Sequence, residues 1–135
     1  MKKDQNCPCG RPQKYVDCCG RAHQNIINAK TAEDLMRSRY VAFTKADGDY
    51  LMNSHHSMTR KTLRKEDLVA WAKSVKWGRL EVVKVIDGGE NDMEGVVEFK
   101  AHFREGSQKR VMHQQGKFIR EFGHWVYFDV MKWIS

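Results

Sequence analysis

Residues 97–133, "VEFKAHFREGSQKRVMHQQGKFIREFGHWVYFDVMKW", alternate apolar and polar side chains in a way that decides the fold. Val97, Phe99, Ala101 and Phe103 are separated by single charged or polar residues, a pattern typical of a strand with one buried face. Further strand-like runs occupy 80–86, 109–122 and 125–133, and the breaks between the four runs are short and contain glycine. Four successive strands joined by tight turns predict an antiparallel meander.

The segment before the strands has a helical period. Thr31 and Asp34 resemble a capping box, with Thr31 as the N-cap. Met36, Tyr40 and Phe43 then recur at the spacing of one helix face. A second helix is predicted from apolar residues at 68, 71, 72 and 75. Helices first and strands afterwards indicate an α+β fold, with the helices packed on one face of a curved antiparallel sheet.

Length and composition are consistent with one main domain and a short appendage. The chain has 135 residues, of which 41% are hydrophobic, enough for a real core. No apolar stretch approaches the roughly 20 residues of a membrane span, and the first residues do not resemble a signal peptide. We therefore expect a cytoplasmic protein without a transmembrane segment.

All four cysteines lie within "CPCGRPQKYVDCCG", residues 7–20. A disulfide framework belongs mainly to secreted chains, and the spacing differs from the C-x-x-C of thioredoxin-like enzymes. Two short chelating pairs joined by eight residues can wrap one tetrahedral ion at Zn–S distances of about 2.3 Å. The spacing therefore favours a structural zinc clip over a disulfide or a redox pair.

The same stretch resembles the SEC-C zinc motif, written C-x-C-x8-C-[CH]. The resemblance implies that Cys7, Cys9, Cys18 and Cys19 are the ligands of Zn²⁺. His23 would share a face with Cys19 if a helix begins near Cys18, and it is the alternative fourth ligand. The motif also occurs at the C-terminus of the protein-translocation ATPase, where it contacts a chaperone and membrane lipid.

The rest of the chain has its own resemblance. "LMRSRYVAF" (35–43), "DYLMNSHH" (49–56) and "HQQGKFIREFGHWVYFD" (113–129) are similar to the YchJ-like family. In that family a SEC-C motif precedes a cone-shaped domain of the cystatin or nuclear transport factor 2-like type. The resemblance implies a zinc-binding motif in residues 1–27 and an α+β domain in residues 28–135. It supplies a fold more readily than a function.

The chain departs from the family in the strand that the family usually writes H-E-x-S-x-F. Here the sequence is "HQQGKF" from 113 to 118, so glutamine replaces the acid and glycine replaces the serine. Strand alternation puts Met112, Gln114, Gly116 and Phe118 on one face, which we expect to be concave. Glutamine does not titrate and cannot act as a general base. This substitution weakens a catalytic role for that face.

Eight residues are predicted to converge in the cone, because side chains of these types do so in ligand-binding members of the superfold. They are Arg37, Tyr40, His56, Gln114, Phe118, Trp125, Tyr127 and Asp129, and Arg39 on the same helix is a further candidate. A packed core of the aromatic residues among them is the simpler interpretation, since fold does not fix function. An enzyme would use His56 and Asp129 as its acid/base pair. His55 is expected at the surface.

The basic balance, a formal charge of +7, leaves two kinds of partner open. Around the clip, the residues Lys2, Lys3, Arg11, Lys14, Tyr15 and Arg21 would suit an acidic protein or an anionic lipid. Lys14, Tyr15 and Arg21 are the predicted docking residues, with Tyr15 as the aromatic anchor. The net positive charge makes nucleic-acid or ribosome binding an alternative, although the basic residues elsewhere are dispersed rather than arranged in one stripe. We expect a non-enzymatic protein whose cone is a scaffold or small-ligand receptor and whose clip docks a protein partner.

Overall fold

The computed structural model describes residues 5–134. Five helices precede four strands in the described chain. The helices are α1 (Cys19–Gln24), α2 (Ala32–Thr44), α3 (Gly48–Asn53), α4 (Ser57–Arg60) and α5 (Lys65–Ser74). The strands are β1 (Lys76–Asp87), β2 (Glu94–Glu105), β3 (Gln108–Glu121) and β4 (His124–Trp133). Short 3-10 turns at Tyr15–Asp17 and Ile26–Asn28 flank α1.

The sheet is the predicted meander, with strand order β1-β2-β3-β4 and antiparallel pairing throughout. Its concave face carries the residues that the alternation places inward, among them Val97, Phe99 and Ala101. β1 begins earlier than the predicted 80–86, because Trp77 pairs with Phe103 before a register shift at Leu80. Register shifts also interrupt the pairing of β3 with β4. The α+β prediction is confirmed.

Helix α2 begins where the sequence places it. The Thr31 side chain accepts a hydrogen bond from the Asp34 amide at 3.0 Å, which satisfies one of the unpaired amides of the first turn. Its apolar residues meet the concave face of the sheet in one core. The most deeply buried large side chains are Trp125, Phe118, Leu35, Leu51, Val41 and Val97. Burial of each such side chain stabilises the fold by about 1.5–3 kcal/mol.

The segment that follows α3 adds an extended stretch beside β4. Tyr127 donates its amide to the Ser54 carbonyl and accepts from the His56 amide, each at 2.8 Å. His55 forms a parallel bridge with Tyr127. This stretch closes one side of the cone and fixes which of its side chains point inward. No helix among residues 5–134 is long and apolar enough to cross a membrane.

Candidate metal centre and ligand cavity

The four cysteine sulfurs lie together in the N-terminal segment. The Sγ atoms of Cys7, Cys9, Cys18 and Cys19 are all within 4.8 Å of one another, and none forms a disulfide. Cys9 Sγ and Cys18 Sγ are 3.7 Å apart. A tetrahedral ion with metal–sulfur bonds of about 2.3 Å separates its sulfurs by about 3.8 Å. The arrangement could therefore hold one metal ion.

The short distances between the thiols shift their pKa values in opposite directions. Hydrogen bonds from Cys19 and Cys7 hold the pKa of Cys9 far below its ordinary value. Burial, followed by the charge on Cys9, raises the pKa of Cys18 to about 12. Hydrogen bonds with Cys7 and Cys9 also raise the pKa of Cys19. Four thiolates this close repel one another, and a divalent cation in their midst removes that penalty.

The clip, defined here as residues 7–24, is attached to α2 by charged groups. Arg11 donates to the Asp34 carboxylate at 2.7 Å. Arg37 donates from Nη1 to the Cys9 carbonyl at 2.7 Å and from Nε to Glu33 at 2.9 Å. These side chains are mostly shielded from solvent. They tie the backbone of a cysteine to the first turns of α2.

His23 lies beside the sulfur cluster and outside it. Its Nε2 donates to the Ser38 carbonyl at 2.8 Å, which leaves Nδ1 to accept from the Tyr15 hydroxyl at 2.6 Å. The ring packs edge-on against Tyr50 with centroids 4.6 Å apart. Burial lowers the pKa of His23, so the ring is neutral near pH 7. Both nitrogens serve the contact between the clip and α2, and His23 is not placed as a fourth ligand.

The predicted docking residues take different positions. Lys14 and Arg21 are exposed. Tyr15 is half-buried, and its hydroxyl also accepts a hydrogen bond from Lys45 Nζ at 2.8 Å. Arg11 turns inward to α2, as described above. Lys2 and Lys3 lie outside the described residues.

A cavity of about 230 Å³ lies between the concave face of the sheet and helices α2 and α5. Its walls are predominantly aromatic and aliphatic, and include Tyr40, Trp71, Trp77 and Phe118. Trp133 lies at the lining with 60% of its surface exposed. The interior of the cone is therefore not filled by side chains.

Three polar groups meet at the inner end of this cavity, one of them the hydrogen-bonded pair of Tyr127 and Gln114. Arg39 is 9% exposed, and its Nη1 donates to the Leu51 carbonyl at 2.9 Å and to Ser54 Oγ at 2.7 Å. Burial lowers the pKa of Arg39 to about 10, which still leaves it charged at neutral pH. The Tyr127 hydroxyl donates to Gln114 Oε1 at 3.1 Å. The third group is His55.

His55 is buried, with 8% of its surface exposed, where the sequence led us to expect a surface residue. Its Nδ1 has no hydrogen-bond partner among the described residues. Burial and the neighbouring positive charges of Arg39, Arg60 and His56 lower the pKa of His55 to about 3. The imidazole is neutral at physiological pH, so it offers one N–H donor and one acceptor.

Four of the eight residues predicted for the cavity line it: Tyr40, Gln114, Phe118 and Tyr127. The other four lie elsewhere. Arg37 contacts the clip, and Trp125 is fully buried with its indole N–H donating to the Lys30 carbonyl at 3.1 Å. His56 pairs with Glu121 at 3.3 Å. Asp129 is exposed and accepts from the Val130 amide, so His56 and Asp129 do not form an acid/base pair.

The displacements of Arg37, His56 and Asp129 each have a geometric cause. Residues two positions apart on an α-helix point about 200° apart, so Arg39 faces the cavity when Arg37 faces the clip. In an extended stretch successive side chains point to opposite faces, which puts His55 inside and His56 outside. Phe118 pairs with Tyr127 but Lys117 pairs with Asp129, so an irregularity at position 128 turns Asp129 to the convex face.

The sequence and the fold are both similar to those of known proteins. Residues 31–130 match the family described as YchJ, middle NTF2-like domain. The chain is 41% identical over 123 residues to a UPF0225 protein of Streptomyces coelicolor, an alignment that covers 91% of this chain and 92% of that protein.

Two solved structures are similar over nearly the whole chain. One is the solution structure of a SEC-C motif containing protein from Rhodopseudomonas palustris, with a TM-score of 0.86 at 30% identity. That match covers 97% of this chain and all of the other. The crystal structure of a SEC-C motif containing protein from Psychrobacter arcticus gives a TM-score of 0.80 at 28% identity, covering 98% of this chain and 86% of that one.

Proposed function

This chain belongs to the YchJ-like family of UPF0225 proteins, and from that premise we propose that it is a small-ligand receptor whose fold is stabilised by a structural zinc ion. The ligand site is the cavity under the concave face of the sheet. The metal site is the cluster of four cysteines. Neither proposal requires a chemical reaction.

The observation that carries the receptor proposal is the unfilled cavity of about 230 Å³. At about 24 cal/mol per Å³, leaving such a volume empty in a closed core would forgo up to about 5.5 kcal/mol of stability. That is comparable with the whole stability of a small domain, about 5–15 kcal/mol. A scaffold gains nothing from this loss, whereas a receptor requires the space. Apolar walls with a few converging polar groups are typical of ligand sites.

The test is to fill the cavity without disturbing the rest of the core. Ala101 is 3% exposed and lines the cavity, so Ala101→Leu should add packing and stabilise the protein by about 0.5–2 kcal/mol. Ala42 is also fully buried but does not line the cavity, and Ala42→Leu should destabilise by about 1–3 kcal/mol through overpacking. Chemical denaturation measures both changes.

Ligand binding is measured on the same variants by NMR titration with single-ring aromatic compounds, neutral and charged. Wild type should bind some of them, and Ala101→Leu, which fills part of the cavity, should bind the same compounds more weakly. The receptor proposal is wrong if neither the neutral nor the charged compounds bind wild type. It is also wrong if Ala101→Leu binds these compounds as tightly as wild type does.

Zinc is proposed because the donor set is four cysteine sulfurs at tetrahedral spacing, the composition of closed structural zinc sites. Such a site orders a short polar segment that buries little apolar surface of its own.

A second function, docking of a protein partner by the clip, is supported by its outward face. Lys14 and Arg21 are exposed there, and Val16 is 41% exposed between them. An acidic partner would contact these cations, so its binding should weaken with salt and fall further in Lys14→Glu with metal content unchanged. If the partner binds undiminished after deletion of residues 1–27, the clip is not the docking surface. Nucleic-acid binding, the remaining alternative, stays a prediction that a mobility-shift titration tests.

A further inference from the structure

Arg39 is a buried cation without a counter-ion. Among residues 5–134, no carboxylate lies within ion-pair distance of its guanidinium. Nη1 is occupied by the Leu51 carbonyl and by Ser54, which leaves the Nε and Nη2 N–H groups without an acceptor in the described chain. Burying an ion costs several kcal/mol unless an opposite charge or good hydrogen bonds compensate it. The fold therefore keeps a costly group at the inner end of an unfilled cavity.

We infer that the cavity binds a compact apolar carboxylate, with the carboxylate on Arg39 and the hydrocarbon part against the aromatic walls. This inference rests on the proposed receptor function and adds the chemical class of the ligand. The planar fork of an arginine matches the two oxygens of a carboxylate better than any other cationic side chain does.

Two neighbouring groups can complete the carboxylate site. His55 has an unpartnered Nδ1 and a ring centroid 5.2 Å from that of Tyr127. Gln114 accepts a hydrogen bond from Tyr127 through Oε1. Its amide NH₂ has no acceptor in the described chain. A neutral imidazole and a primary amide are hydrogen-bond donors that add no charge. Together with Arg39, these side chains can supply hydrogen-bond donors that have no acceptor among the described residues.

The charge and the volume limit the ligand. Arg39 is the permanently charged residue among the described residues that line the cavity, and one cation balances one negative charge. A dianion such as a phosphate monoester would bring a second charge that nothing there neutralises. A cavity of about 150 Å³ holds benzene, so about 230 Å³ holds one ring with a short acidic substituent.

The loop beside the cavity carries positive charges that would attract an anionic ligand. Leu63 lines the cavity and lies between α4 and α5. Lys61 and Arg64 are exposed in the same loop. Positive potential near an entrance raises the association rate of an anion, an effect that salt reduces.

The test compares benzoate with nitrobenzene, its neutral planar isostere, by NMR or calorimetric titration of the full chain. Wild type should bind benzoate at least about tenfold more tightly, the effect expected of charge-assisted hydrogen bonds. Arg39→Met should lose about 10- to 100-fold in benzoate affinity while keeping or gaining affinity for nitrobenzene. Arg64→Met removes the same charge outside the cavity and should change benzoate affinity by less than about twofold at 0.15 M salt.

The outcomes separate the two proposals. Binding of nitrobenzene at least as tight as that of benzoate in wild type overturns the carboxylate inference and leaves the receptor proposal standing. Binding of neither compound, nor of any other single-ring compound, overturns both. If Arg39→Met does not fold, the wild-type comparison decides alone. Equal benzoate affinity in Arg39→Met and wild type would show that the anion binds elsewhere.

Discussion

Burial of His55 makes the stability of the fold depend on pH. Its pKa is lowered to about 3, against an ordinary value of 6.5, chiefly because burial disfavours the imidazolium. Between these values the unfolded state binds a proton that the folded state does not. Stability therefore falls as pH drops from 6.5, by up to about 1.4 kcal/mol per pH unit.

Replacement of His55 by glutamine should remove this contribution to the pH dependence of stability. The free energy of unfolding, measured by denaturant titration at pH 6.5, 5.75 and 5.0, should fall less steeply in His55→Gln than in wild type. Acid release of metal and the titration of His23 act equally on both proteins, so the difference between the slopes isolates His55. Parallel slopes would show that the imidazole is not held neutral.

The four cysteines, as the proposed zinc ligands, give a second prediction at the level of residues. Cys18→Ser should reduce bound zinc from one ion per chain to nearly none, because three thiolates in a short segment bind far more weakly than four. His23→Ala should keep its zinc, because both ring nitrogens of His23 contact Ser38 and Tyr15. Elemental analysis of the purified variants measures the content. Loss in His23→Ala with retention in Cys18→Ser would assign the fourth ligand to His23.

At the level of elements, the β1–β2 hairpin passes unusually close to the start of α2. A Cβ built on Gly95 would lie 2.5 Å from Gly88 Cα and 3.2 Å from Ala32 Cβ. The nearer atom is backbone and cannot rotate away. Gly95→Ala should therefore destabilise by about 2 kcal/mol or more, since the two strands must separate or the helix must shift.

Gly89 supplies the matched control in the same hairpin. A Cβ there meets only the Asp92 side chain, at 3.5 Å, which is an ordinary contact. Gly89→Ala should change the free energy of unfolding by less than about 0.5 kcal/mol. Thermal and denaturant unfolding of both variants test the pair. Equal effects would mean that the close approach does not constrain the hairpin.

The four strands and helices α2 and α5 could be predicted from the sequence, because strand alternation, apolar helical spacing and the Thr31 cap are local signals, whereas the short helices α3 and α4 were not predicted. The inward set Met112, Gln114, Gly116 and Phe118 follows from the same alternation, and all four are buried or half-buried. Which of the candidate residues form the polar end of the cavity could not be predicted in this way. It depends on the rotation of α2, which selects Arg39 over Arg37, and on the pairing of His55 beside β4. Such choices are made by tertiary packing.

At the level of the whole molecule, the clip and the cone domain share one core. Cys7, Cys9, Cys19 and Ala22 belong to the same buried cluster as Leu35 and the residues around it. The family resemblance implied a division into residues 1–27 and 28–135, and helical periodicity begins only near Thr31. That division stays a prediction. The shared core leads us to expect that the two parts stabilise each other.

Metal removal tests this expectation. The free energy of zinc binding is available to any structure that the clip packs against. Arg37 connects the two parts through its bonds to the Cys9 carbonyl and Glu33. Chelation of wild type should lower the melting temperature of the sheet itself. Protection of the β2 and β3 amides from hydrogen exchange measures this change. In Arg37→Met the sheet should respond less to chelation, because the clip can loosen without disturbing α2.

Arg79→Met is the control for this experiment. Arg79 is exposed and pairs with Glu81 within β1, so its loss removes the same charge without touching the contact between clip and helix. Its response to chelation should equal that of wild type. If chelation leaves amide protection in β2 and β3 of wild type unchanged and releases only residues before α2, the clip is an independent module. In that case the shared core contributes little, and the boundary near residue 27 divides two units that fold separately.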